Sequence, residues 1–352
     1  MIKVGINGFG RIGRLSLRVI MEKHRETLLP VAINTSGKIG PKGWAHLFSY
    51  DTAYGKFKGK VTATDKEIIV DGLKIPTMGE QDPAQIPWGK FGTQIVIEST
   101  GKFLKEKDAK LHLKDTVKKV ILAAPPKEGN IPLYVIGVNE GKLGQESIIS
   151  AASCTTNCLA PVAKVVDQAF GVQKALMSTV HAYTSDQELL DGSHKDLRRA
   201  RAAGANIIPT TTGAAKATGK VYPRLSGKFD GIALRVPVIT GSLVDCIFVT
   251  KKKVTAEEIN NAFKKAALGS LKNILGVTSE PLVSSDIIGT SLSAIVDLAL
   301  TCVIDGDLVK VVAWYDNEWG YTNRLVEEVI LLGKKLPASP QGGPASPRGE
   351  PK

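Results

Sequence analysis

Apolar positions open the chain as a short run from Ile2 to Asn7, take helical spacing over 10–23 and return as a run from Leu28 to Asn34, which predicts one strand–helix–strand unit. Further β-rich runs at Gln94 to Glu98, Lys119 to Ala124 and Tyr134 to Val138, with one polar helical stretch from Lys105 to Thr116, extend this into a mostly parallel sheet. After Cys154 the texture changes. Longer, partly alternating runs at Lys174 to Tyr183, Gly231 to Pro237, Leu243 to Lys252, Ser293 to Val303 and Val309 to Tyr315 predict a second, largely antiparallel sheet. Helices are predicted at Thr155 to Phe170, at Thr255 to Leu268 with Thr255 and Glu258 spaced as a capping box, and at Thr322 to Leu332 before Gly333.

At 352 residues the chain exceeds one ordinary domain, and two packed units are expected. An apolar fraction of 43% with 23% charged residues is that of a globular protein, and no apolar run approaches the ~20 residues that span a bilayer, so no membrane partner is expected. The chain opens directly on a strand, without a secretory h-region, and is read as cytoplasmic. Cys154, Cys158, Cys246 and Cys302 are too few and scattered for a disulfide framework, and no second pair or nearby His completes four ligands around Cys154 and Cys158, so no metal is expected. The net charge of +12 favours anionic partners. With only 6% aromatic residues and no basic cluster interleaved with them, no specific nucleic-acid recognition is expected. From Lys334 to Lys352 the chain is Pro, Gly, Ser and basic residues, which predicts a disordered tail.

Gly8-Phe9-Gly10-Arg11-Ile12-Gly13 follows a predicted strand and opens a predicted helix, the context a dinucleotide-binding glycine loop requires. Gly8 allows the turn, Gly10 admits a pyrophosphate to the backbone and Gly13 lets helix pack on strand. The acid that usually reads the adenosine ribose is absent from Asn34-Thr35-Ser36-Gly37-Lys38. Such an acid would repel a 2′-phosphate by about 3 kcal/mol at ~5 Å and an effective dielectric near 20, so its absence favours NADP, with Thr35, Ser36 and Lys38 as donors. The alternative is that another group holds the ribose and NAD is used. Cys154, in Ser153-Cys154-Thr155-Thr156-Asn157-Cys158, falls at a helix start, where free N–H groups and the macrodipole favour thiolate. His181 ends a predicted strand 181 − 154 = 27 positions later and is the candidate base. Asp196-Leu197-Arg198-Arg199-Ala200-Arg201 and Pro209-Thr210-Thr211-Thr212-Gly213 supply the arginine, hydroxyl and backbone donors that a phosphate needs.

These motifs, with His181-Ala182-Tyr183-Thr184 and Trp314-Tyr315-Asp316-Asn317-Glu318-Trp319-Gly320-Tyr321, closely resemble the glyceraldehyde-3-phosphate dehydrogenase family over residues 1–333. The resemblance implies an α/β fold: a Rossmann-type doubly wound parallel sheet in a dinucleotide-binding domain at 1–153, and a catalytic α+β domain with a largely antiparallel sheet at 154–316. A helix at 317–333 would pack back onto the first domain, and 334–352 would form the tail. It implies that Cys154 attacks the aldehyde and His181 moves the protons. Thr184 and Arg235 would hold the substrate phosphate, Ser153, Thr212 and Gly213 the attacking phosphate, and Arg199 both, with Thr155 in the same set. On the cofactor side it implies Gly8, Gly10, Arg11, Ile12, Gly13, Asn34, Thr35, Ser36, Thr100 and Gly101, Ser193 on a loop near a neighbouring subunit's cofactor, Asn317 on the nicotinamide carboxamide, and Tyr321. The implied partners are a phosphorylated aldehyde, inorganic phosphate, NADP or NAD, and three further copies in a homotetramer whose interface takes the loop from Thr184 to Ala203. Thr35 in place of the usual acid and Ser193 in place of the usual Pro resemble NADP-using members; Gln81 in place of a frequent Arg does not. The tail lacks the Cys of the redox-regulatory extension of some plastid members. Erythrose-4-phosphate dehydrogenase is the near enzymatic alternative, and an RNA-binding role is the alternative of another class.

Overall fold

The computed structural model describes residues 1–336. Its first sheet has eight strands, ordered Ile148–Ser150, Lys119–Leu122, Ile95–Glu98, Ile2–Asn7, Leu28–Asn34, Leu73–Met78, Glu67–Val70 and Val61–Ala63. Neighbours are parallel as far as Leu73–Met78, and the last two pairings are antiparallel. The chain reverses its winding at Ile2–Asn7, whose neighbours are Leu28–Asn34 on one side and Ile95–Glu98 on the other. A crevice opens at the carboxyl ends of strands at such a reversal, and Gly8 is the first residue past it.

The second sheet has seven strands, ordered Ile208–Thr211, Phe229–Val236, Val172–Ala182, Ser242–Thr250, Leu308–Tyr315, Ala294–Ile304 and Leu275–Thr278. Two of its pairings are parallel, Val172–Ala182 with Phe229–Val236 and Leu275–Thr278 with Ala294–Ile304, and the rest are antiparallel. Alternation along these strands sends Met177, Val244, Cys246 and Phe248 inward, where the helices Cys154–Phe170 and Ala256–Leu268 cover them with Leu159, Val162, Ile259 and Phe263. The latter helix has the predicted capping box, Glu258 N donating to Thr255 Oγ1 at 3.2 Å and Thr255 N to Glu258 Oε2 at 2.8 Å.

The helix Trp319–Gly333 returns to the first sheet, adding Leu325, Val326 and Val329 to the core of Val4, Ile6, Leu15 and Val19. Cys154, at the start of Cys154–Phe170, packs against both cores. Beyond Gly333, Lys334 to Leu336 are ordered: Leu336 N donates to Gly333 O at 3.2 Å and its side chain packs on the first core. The remainder of the tail expected to be disordered lies outside the described residues. No helix among the described residues is long and apolar enough to cross a membrane.

Two expectations are corrected. Tyr134 to Val138 is a turn, because Asn139 bonds Val135 N and Leu133 O at 2.8 and 2.9 Å and Gly137 takes φ +86°, so the backbone finds partners without a ladder. The helical stretch at Lys105 to Thr116 shrinks to Glu106–Lys110, after which the chain turns His112 into the interior. The helices Pro41–Ser49 and Ala214–Val221 and the hairpins between Val61 and Met78 add elements that periodicity did not show.

Candidate active site

The glycine loop fits a dinucleotide on its own geometry. Gly8 has φ +91°, and a Cβ there would lie 2.7 Å from Thr100 N; a Cβ on Gly13 would meet Gly8 O at 2.0 Å. Gly10 faces open space, with nothing within 4 Å of a Cβ, and it caps Arg11–Lys23 without a side-chain acceptor, so the first N–H groups of that helix stay free for an anion. Behind the loop lies a buried network. Asn7 Nδ2 donates to Glu98 Oε2 at 2.5 Å, and Thr100 donates to Glu98 Oε1 from its N–H at 2.8 Å and from its hydroxyl. The Trp88 indole N–H reaches His112 Nδ1 at 3.1 Å and can only donate, so Nε2 carries the His112 proton to Glu98 Oε2, also at 3.1 Å.

A cavity of about 210 Å³ at this end is lined by Gly8, Gly10, Asn34, Thr35, Ser36 and Thr100 among others. Two of these are committed within the protein. Asn34 bonds Asn7 and Glu80 on both sides of its amide, and the Thr35 hydroxyl donates to Met78 O at 2.8 Å. The expectation of Thr35 as a phosphate donor is therefore corrected, and Ser36 and Lys38, both exposed, are the groups left. Glu80 and Gln81 also line this cavity. An acid thus does stand there, supplied from beyond the neighbouring strand Leu73–Met78, where spacing along one unit could not reveal it.

A second cavity of about 640 Å³ is lined by Arg11, Ile12, Ser153, Cys154, His181, Thr184, Asn317 and Tyr321 together with Tyr183, Asp186 and Glu318. The Arg11 guanidinium is clamped to Asp51 and Glu318, both at 2.5 Å. Burial opposes the Arg11 charge, but the bonds to Glu318 and Asp51 outweigh it and raise its pKa.

Ser153 caps the helix Cys154–Phe170 by accepting Thr156 N at 3.1 Å, which fixes Cys154 as the first helical residue. The preceding Ala152 takes φ +54°, a left-handed bend that aims the helix start and persists because Ser150 Oγ accepts its N–H at 3.1 Å and Tyr321 donates to its carbonyl at 3.3 Å. Cys154 Sγ lies 3.4 Å from His181 Nε2. His181 Nδ1 is 2.6 Å from Ala182 O, a separation that only an N–H donor sustains. Arg235 Nη1, 2.8 Å from Nδ1, converges on the same carbonyl at 3.2 Å. With Nδ1 protonated, Nε2 turns its lone pair to the thiol.

Burial pushes the Cys154 thiol up, more than Arg235 and the bonds from Thr155 lower it, so the thiolate favoured by the helix start meets an opposing desolvation. Burial, and then Arg235, push His181 down to about 3. Both shifts favour the uncharged form of each partner. An unfolded His titrates near 6.5, so the unfolded chain takes up this proton first and stability must fall as pH drops from about 6.5 toward 3. Between pH 7 and pH 5 the native protein should lose about 2 kcal/mol more stability than His181→Asn. Urea denaturation of both proteins at the two pH values measures this difference.

The remaining expected residues are in the lining of neither cavity. Thr155 is buried beneath Cys154 with its hydroxyl on Tyr315 at 2.9 Å, and Gly13 is packed against Gly8. Arg235 lies opposite His181 in the sheet register. Arg199 holds Thr210 at 2.8 Å and is paired with Asp186 and Asp196. Thr212 and Gly213 precede the helix Ala214–Val221, and Thr212 Oγ1 accepts the N–H of Ala214 at 3.2 Å. Gly101 takes φ +71° next to Thr100, and Ser193 is exposed on the loop that Arg199 braces.

Two family descriptions match the chain, "Glyceraldehyde 3-phosphate dehydrogenase, NAD binding domain" over residues 2–106 and "Glyceraldehyde 3-phosphate dehydrogenase, C-terminal domain" over 153–317. Similar proteins include glyceraldehyde-3-phosphate dehydrogenase 2 of Streptomyces avermitilis, 52% identical over 337 residues, or 95% of this chain and 99% of that one. Glyceraldehyde-3-phosphate dehydrogenase B, chloroplastic, of Pisum sativum is 51% identical over 350 residues, 98% of this chain and 77% of its own. Glyceraldehyde-3-phosphate dehydrogenase 1 of Bacillus cereus is 49% identical over 337 residues, 95% and 99% of the two chains. With the glycine loop, the Cys154–His181 pair and both halves of the fold matched, the chain belongs to the glyceraldehyde-3-phosphate dehydrogenase family.

Proposed function

We propose that the chain oxidises D-glyceraldehyde 3-phosphate to 1,3-bisphosphoglycerate through a thioester on Cys154, with NADP favoured over NAD. The observation that carries this reading is the 3.4 Å approach of Cys154 Sγ to Nε2 of His181 inside the larger cavity. As Sγ adds to the aldehyde carbon, its proton passes to Nε2, and the imidazolium then gives that proton to the oxyanion so formed, which becomes the hydroxyl of the hemithioacetal. A nicotinamide bound in the cavity supplies the acceptor for the hydride that leaves the same carbon. His181 takes the hydroxyl proton as the thioester forms, and the oxygen of inorganic phosphate displaces Sγ, which leaves as thiolate and recovers its proton from His181. Protonated His181 and the free amides at the start of Cys154–Phe170 stabilise the developing oxyanion. Formation of NADPH or NADH from the aldehyde with phosphate present tests the activity, and a kcat/KM higher for erythrose 4-phosphate would reassign the substrate.

The strand Leu28–Asn34 carries no acid at its own end, which supports NADP although Glu80 lines the same cavity, and Ser36 of that lining, with the exposed Lys38 nearby in sequence, is the proposed seat of the 2′-phosphate. Ser36→Asp should lower kcat/KM for NADP about 100-fold while changing that for NAD only a few-fold. A native kcat/KM tenfold or more in favour of NAD would reverse the preference. Self-association as a homotetramer is supported by the outward face of the second sheet, where Leu176, Ile232 and Ile247 are exposed at 62%, 49% and 42%. The four unpaired cysteines support a reducing, cytoplasmic compartment.

A further inference from the structure

Asn317 lines the larger cavity, and its usefulness there depends on which end of its amide faces in. Oxygen and nitrogen of an amide are interchangeable in shape, so the surrounding donors decide. Two hydroxyls approach Oδ1: Ser242 Oγ at 2.8 Å and Thr240 Oγ1 at 3.3 Å. Thr240 has one proton and a better acceptor, Asp316 Oδ1 at 3.0 Å. Ser242 is therefore the group that pins Oδ1 and turns the Nδ2 amine to the cavity.

The same oxygen of Ser242 accepts the N–H of Ala182 at 3.1 Å. Ala182 is the residue whose carbonyl, 2.6 Å from Nδ1, fixes the tautomer of His181. Ser242 is fully buried at 1% exposure and opens the strand Ser242–Thr250, between the strand that carries His181 and the strand that leads into Asn317. One hydroxyl thus spans two functions: as acceptor it holds the backbone that orients the base, and as donor it orients the amide that faces the reacting cavity. Alanine at 242 would leave both the Ala182 N–H and Asn317 Oδ1 buried without this partner, and the amide would lose its reason to present nitrogen rather than oxygen.

We infer that Ser242 is a positioning residue that makes Asn317 a hydrogen-bond donor toward the nicotinamide carboxamide and holds it in register with His181. The inference rests on the dehydrogenase reading above and is read out by binding rather than by turnover. NAD and ADP-ribose share the adenosine, both phosphates and the distal ribose and differ in the nicotinamide. In titrations of the intact protein, Ser242→Ala should weaken NAD about fivefold to tenfold and leave ADP-ribose within twofold. In an Asn317→Ala background the same substitution should add nothing, because the residue through which it acts is gone. If Ser242→Ala does not fold, Ser242→Cys, which keeps a weaker donor, should show the same selective loss at smaller size. Equal weakening of NAD and ADP-ribose, unchanged NAD binding, or full additivity with Asn317→Ala would overturn the inference. Native protein that binds NAD no more tightly than ADP-ribose would overturn it too, while aldehyde-dependent NADH or NADPH formation by that sample would leave the proposed activity standing. Native protein that binds neither ligand would overturn the inference, and the proposed activity with it when NADP also fails to bind.

Discussion

Cys154→Ser should lower kcat by at least about 10⁴-fold and leave equilibrium binding of the dinucleotide within twofold. The sulfur lies 3.4 Å from its base in a site that already disfavours its anion, and a serine hydroxyl, far less acidic than a thiol, would meet the same burial with a larger deficit. The side chain at 154 is not needed to shape the cofactor site, since Ser153 sets the helix start and the glycine loop is built from other strands. Single-turnover measurements with the aldehyde, alongside a dinucleotide titration, separate the two effects. A serine enzyme retaining a tenth of native turnover would eliminate the thioester route.

The second large effect is expected at His181. Replacement by Asn keeps a side chain of similar reach but removes the proton acceptor, and kcat should fall about 10²- to 10⁴-fold. Because native Nε2 is unprotonated down to about pH 3, the native enzyme should not lose its base in mildly acidic solution, whereas the variant must draw the thiol proton into solvent and its rate should climb with pH through the alkaline range. Alkylation of Cys154 by iodoacetamide, followed from pH 6 to pH 10 in both proteins, reports the same difference without turnover. Identical pH profiles would show that the imidazole does not take the thiol proton. Combining both substitutions should cost little beyond Cys154→Ser alone, because the two groups act as one unit.

What could be read along the chain was local. The glycine loop, the serine-capped cysteine and the capping box at Thr255 are set by spacings of a few residues, and each stands where spacing put it. Cys154 and His181 were recognisable separately, but their contact depends on two elements packing together. The clamp of Arg11 on Glu318 spans 307 positions and the Ser242–Asn317 bond spans 75, and no periodicity encodes either. Thr35 shows a different limit. Its position at the strand end was legible, yet the direction of its hydroxyl was settled by Met78, the strand neighbour of Asn34. Tyr134 to Val138 had the composition of a strand but lies beside Asn139, whose side chain took over the backbone bonds. Hydrophobicity marks what is buried, whereas hydrogen-bond competition decides the shape in which it is buried.

The Cys154 sulfur belongs to neither half of the molecule alone, because Cys154 packs against both apolar cores. Wedged at that seam, it acts as a keystone: small slippage between the halves shifts the nucleophile relative to an imidazole carried by one half and a nucleotide cradle carried by the other. On the proposed mechanism, rigidity across the seam is thus a requirement of catalysis in its own right. Substitutions that soften it would be silent in far-ultraviolet spectra and visible in turnover.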